Sequence, residues 1–99
     1  MIDGYLLNMR VFRKVEDSKQ QALKPLEEAS EIFGAWQAYY NMRFASRAAQ
    51  LAFRRDIIDE CLDTVQAAVN MLAGINATQG EVDDAIRRMD ERNEGRGRL

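Results

Sequence analysis

Ninety-nine residues, 46% hydrophobic and 30% charged, suit a single globular domain with a modest core of its own. The net charge of −2 argues against nucleic-acid binding, which takes a basic surplus, and no apolar run approaches the ~20 residues of a membrane span. No histidine and one cysteine leave no Ser-His-Asp or Cys-His machinery, no internal disulfide and no structural zinc site.

What remains for chemistry is carboxylates, Lys/Arg, amides, hydroxyls, or a hard metal held by oxygen. No Walker A loop and no G-x-G-x-x-G is present. With no signal peptide at its start and one cysteine, the chain is expected to be cytoplasmic. One proline, six glycines and few β-branched runs favour helices, so the expected class is all-α over a single domain, residues 1–99.

Residues 1–17 read two ways. Tyr5, Leu7, Met9 and Val11 alternate as in a strand, while Leu6 with Met9, or Phe12 with Val15, fits a helix. The segment is taken as an N-terminal arm, packed on its own core or on a neighbouring subunit. The first helix is expected over about 18–42. Pro25 lacks an N–H, which suits a helix's first turn, so the helix starts near Lys24 or starts earlier and bends. At ~100° per residue, Glu28, Ile32, Ala35, Trp36, Tyr39 and Met42 share one face, with Glu31 ~60° round.

A turn falls within Asn41–Ser46, near Arg43–Ala45, and a second helix follows over about 47–73, stopped by Gly74. Phe53, Ile57, Thr64, Ala67, Ala68 and Met71 share its apolar face, widened by Cys61, Val65 and Leu72; Glu60 lies within it and Asp63 again ~60° away. Thr78 with Glu81 forms a capping box for a third helix over about 79–93. Its end is rich in arginine, which suits a helix C-terminus or a phosphate.

Two carboxylate pairs on apolar faces are unusual, because acids are rarely placed there for solubility. Glu31 stands about thirteen residues before the turn and Glu60 about fifteen after it. At ~1.5 Å per residue the chain goes out ~20 Å and returns ~20 Å. In an antiparallel hairpin Glu28, Glu31, Glu60 and Asp63 therefore meet at one level. Four converging carboxylates repel, and a divalent cation resolves the repulsion. Oxygen-only ligands select magnesium, or manganese, and such a metal keeps open positions for water and substrate phosphates. The alternative is that these acids are surface charges paired with Lys24, Arg47, Arg54 or Arg55.

Glu27-Glu28-x-x-Glu31, a spacer of 28 residues, then Glu60-x-x-Asp63 resembles the EExxE…ExxD signature of the MazG-like all-α nucleoside triphosphate pyrophosphohydrolases. Leu26 to Glu31 is similar to that family's "LEEAAE". Asp59 to Asp63 is similar to its "EELGD", with Asn70 seven residues on. The likeness covers about residues 22–96. It implies magnesium-dependent cleavage of a (deoxy)nucleoside triphosphate between its α and β phosphates, giving monophosphate and pyrophosphate. Glu28, Glu31, Glu60 and Asp63 would be the catalytic metal ligands, and Arg92, Arg96 and Asn70 would contact phosphate. Trp36 would either stack on the base or belong to the core.

The resemblance also implies an obligate oligomer, a homodimer or dimer of dimers. The fold would then be an antiparallel hairpin plus a third C-terminal helix, assembling into a four-helix-bundle-like homo-oligomer, each site completed by another subunit. Two other functions stay open. One is a non-enzymatic helical interaction module. The other is a phosphoribosyl-ATP-type pyrophosphohydrolase, although that family carries a histidine after the second acid motif and this chain has none.

Overall fold

The structure, a computed structural model, describes every residue except Met1 and Arg43, so that part of the expected turn lies outside the described residues. The described residues form three helices and no strand: α1 Lys19–Asn41, α2 Arg47–Gly74 and α3 Gln79–Gly95. Each boundary lies within two residues of the sequence expectation, and each has a local chemical cause.

Ser18 caps α1, its hydroxyl accepting from the Gln21 N–H at 3.1 Å. The cap wins over the proline. The helix begins six residues before Pro25, which sits in the interior and leaves the Gln21 carbonyl without an intrahelical donor. Ser46 caps α2 in the same way, accepting from Ala49 N–H at 3.2 Å. Thr78 and Glu81 form the expected capping box on α3, the Thr78 N–H donating to Glu81 at 3.0 Å and the Glu81 N–H to Thr78 at 3.1 Å.

The end of α2 departs from expectation in its cause. Gly74 is the last helical residue, and the left-handed residue is Asn76, at φ 59°. Asn76 N–H donates to Ala73 and Ala77 N–H to Leu72, the double bond pattern that closes helix C-termini. Gly74 is needed for another reason. A Cβ there would stand 2.9 Å from the Glu16 carbonyl carbon, with the carbonyl oxygen nearer still. The glycine lets the N-terminal arm cross the end of α2.

That arm, residues 2–17, is neither helix nor strand. It lies along α2, held by side chains rather than by a backbone ladder. Phe12 N–H donates to Asn70 Oδ1 at 3.1 Å, and Gln66 Nε2 donates to the Arg10 carbonyl at 2.7 Å. Asn70 is 3% exposed, and Gln66 Nε2 also reaches its Oδ1 at 3.0 Å.

Helices α1 and α2 pack as the expected antiparallel hairpin, while among the described residues no Cα of α3 comes within 8 Å of a Cα of either. Val82 and Ile86 of α3 instead line a groove with Leu7, Met9 and Val11 of the arm and Val65 and Leu72 of α2. Among the described residues Ala67 is the one buried hydrophobic side chain, at 4% exposure. No helix among the described residues is long and apolar enough to cross a membrane.

Candidate metal centre

The hairpin does what its arithmetic requires. Glu28 from α1 and Glu60 and Asp63 from α2 each bring a carboxylate oxygen within 4.8 Å of the others. Magnesium at ~2.1 Å from each would need them to close to separations of ~3–4 Å, within the reach of two Glu side chains and one Asp. Glu31 stands beside them, within hydrogen-bonding reach of both Glu60 and Glu28. It is more exposed than Glu28 and Glu60.

The electrostatics show strain within the group. Glu60 is held above the ordinary carboxyl value, first by its hydrogen bond to Glu31, then by burial and by repulsion from Glu31, Asp63 and Glu28. Glu28 is also pushed up, chiefly by burial and by Glu31, with Lys24 opposing. Glu60 Oε2 is shut off from solvent and has no hydrogen-bond partner. An acceptor left this way is rare, because an oxygen that gives up its hydration without gaining a partner is unfavourable. A cation fits this oxygen, and no side-chain donor among the described residues reaches it.

A small cavity of 280 Å³ opens beside the acids, lined by Phe12, Lys24, Glu28, Asp63, Gln66 and Asn70. It adjoins a wider cleft of 460 Å³ between the arm and the start of α1, which adds Lys14 and Gln20. The arm is therefore a wall of the site.

Compared with models of known families, with curated proteins and with solved structures, the chain matches none.

The other residues singled out in the sequence divide. Asn70 does border the acid cavity, but its carbonyl oxygen is engaged in tethering the arm. Arg92 on α3 and Arg96, its C-cap, are exposed and neither lines the acid cavity, so the described chain does not bring them to the acids. Trp36 is 45% exposed and stacks between Phe33 and Tyr40, at ring-centre distances of 6.2 and 5.2 Å. It does not line the acid cavity.

The cation that does line it is Lys24, whose Nζ lies 3.1 Å from Glu27 and 4.0 Å from Glu28. In the sequence it reads only as a charge partner of the acids. Its spacing, four residues before Glu28, puts it on the same face of α1 and is the signal that could have found it. Phe12 and Gln66 had no such signal, because their place depends on where the arm folds back.

Proposed function

We propose that the protein is a magnesium-dependent nucleoside triphosphate pyrophosphohydrolase, cleaving between the α and β phosphates to release a monophosphate and pyrophosphate. The observation that carries the reading is the orphaned Glu60 oxygen inside a set of carboxylates gathered from two helices. The motif likeness to MazG-like pyrophosphohydrolases supplies the reaction. Manganese could replace magnesium, and a cytoplasmic setting supplies metal and substrate. The working unit is a homodimer or dimer of dimers.

Glu28, Glu60 and Asp63 would hold the metal, with Glu31 completing the set. A bound magnesium ion would neutralise phosphate charge and lower the pKa of an attacking water. Glu31, outside the tightest group of oxygens, is the carboxylate left to accept that water's proton. Lys24 can turn from Glu27 towards a phosphate, as its exposed stem leaves it free to move. Arg92 and Arg96 reach a phosphate only from another subunit.

A second reading, a non-enzymatic interaction module, is favoured by the apolar surface the chain exposes. Incubating the purified protein with a panel of triphosphates and magnesium separates the two. Release of monophosphate and pyrophosphate from at least one substrate supports the enzyme; silence across the panel sinks it. Glu60→Ala should lower turnover by about a hundredfold or more while the protein stays folded. Activity surviving that change would place the site elsewhere.

A further inference from the structure

The cleft that adjoins the acid cavity has a make-up of its own. Phe12, Lys24 and Asn70 line both spaces, so the two meet at these residues. On the α1 side the cleft is walled by Gln20, Leu23, Lys24 and Glu27, which recur at i, i+3, i+4 and i+7 and so share one helix face. That face leads on to Glu28, about 12 Å along the helix from Gln20. The arm forms the other side with Phe12, Lys14 and Glu16.

Among the described residues the charges on this wall cancel, Lys14 and Lys24 against Glu16 and Glu27. Lys24 and Glu27 already pair at 3.1 Å. Such a wall has no net pull on an anion and suits a neutral group. Its apolar part is two side chains, Phe12 from the arm and Leu23 from α1, 61% and 45% exposed. Around them stand groups that both donate and accept, the Gln20 and Gln21 amides among them. A planar heterocycle matches this, with two apolar faces and a hydrogen-bonding edge. Among the described residues the Phe12 ring stacks on no other ring. Trp36, by contrast, is taken up between Phe33 and Tyr40 and lines neither space.

We infer that the substrate's nucleobase binds in this cleft, one face on the Phe12 ring and the other towards Leu23, with its phosphates running along α1 past Lys24 to Glu28, Glu60 and Asp63. The inference rests on the pyrophosphohydrolase reading for the identity of the ligand. Phe12 is then a specificity residue, selecting nucleotides over base-free polyphosphates. Every base has a π face, so the ring favours nucleotides as a class and not one base among them. The Asn70 bond to the Phe12 N–H holds the ring's backbone in place, which gives the arm a part in substrate choice.

The Phe12 side chain can be changed without cutting the tether, because Asn70 accepts from the backbone N–H. Phe12→Leu keeps apolar bulk and removes the ring; Phe12→Trp keeps a ring. With the triphosphate of highest turnover and magnesium, Phe12→Leu should raise KM roughly five- to a hundredfold and leave kcat within about twofold, as for a stack made equally in ground and transition states. Phe12→Trp should restore KM. The inhibition constant of inorganic tripolyphosphate, which has no base, should be the same in all three proteins. Saturation-transfer NMR on ATP, GTP, CTP and UTP reads the base protons without turnover, and their signal should fall in Phe12→Leu. An unchanged KM or an unchanged base-proton signal in that variant overturns the inference and leaves the pyrophosphohydrolase reading standing. So does an equal loss for tripolyphosphate, which would make the ring a matter of packing. If no triphosphate is hydrolysed, that reading falls and the NMR decides alone. Base saturation that depends on the Phe12 ring then upholds the cleft as a nucleotide site, and its absence overturns it.

Discussion

At the scale of single residues the acid cluster ties charge to stability. Glu60 and Glu28 both sit above the ordinary carboxyl value in the folded chain, so the fold binds protons that the unfolded chain has already released. For raised acids, that stabilisation is complete below the unfolded value of 4.5 and is lost as pH rises through the folded ones. In chelator, Glu60→Gln should therefore become progressively more stable than wild type as the pH rises above 4.5. Melting curves across that range measure it, and parallel curves would refute it. Added magnesium should reverse the order, stabilising wild type and not the variant.

Asn70 works differently. Its carbonyl oxygen accepts the Phe12 N–H and the Gln66 amide, so Asn70→Ala leaves a part-buried N–H unpaired. The expected loss is about 1–3 kcal/mol, with faster amide exchange confined first to the arm around residues 10–16. Uniform exchange across all three helices would show that the tether is not what Asn70 supplies.

At the scale of elements, ends decide more than interiors. Pro25 would be expected to stop or start a helix, yet α1 runs through it because Ser18 caps the chain earlier and one face of α1 packs on α2. Gly74 gives the sharpest test. Alanine is the better helix former by up to about 1 kcal/mol, so propensity alone favours Gly74→Ala. The added methyl would meet the Glu16 backbone, which cannot swing aside as a side chain would. The collision should win, with a net loss of about 1–3 kcal/mol and displacement of the arm, read by denaturant unfolding and proteolysis. An increase in stability would mean the arm does not cross there.

At the scale of the whole molecule the shape is open. The radius of gyration is 16.3 Å, where a compact chain of this length has about 12.6 Å. The arm and α3 extend the outline to 46 × 36 × 21 Å. A chain with so small an interior should owe its stability to association. Its melting temperature should accordingly rise with protein concentration, as it does when folding and assembly are one equilibrium. A concentration-independent midpoint would mean that each hairpin is stable alone.

Much of this is legible in the order of residues. The three helices follow from 3.6-residue periodicity and from caps at Ser18, Ser46 and Thr78, which act over three or four residues. The meeting of Glu28 with Glu60 and Asp63 follows from helix rise and a single turn. These are local or one-dimensional quantities, and the chain carries them in its order of residues. That residues 1–17 form an arm was legible, but its course along α2 was not, because Asn70 and Gln66 bind its backbone, and backbone groups leave no mark in the sequence. Nor was the place of Lys24 on the cavity wall or the buried Glu60 oxygen, which depend on how closely two helices approach. The apolar stripe on α1 reads as core from sequence, yet only part of it meets α2. The tertiary structure alone decided which part stays bare, because burial belongs to the packing of surfaces and not to their composition.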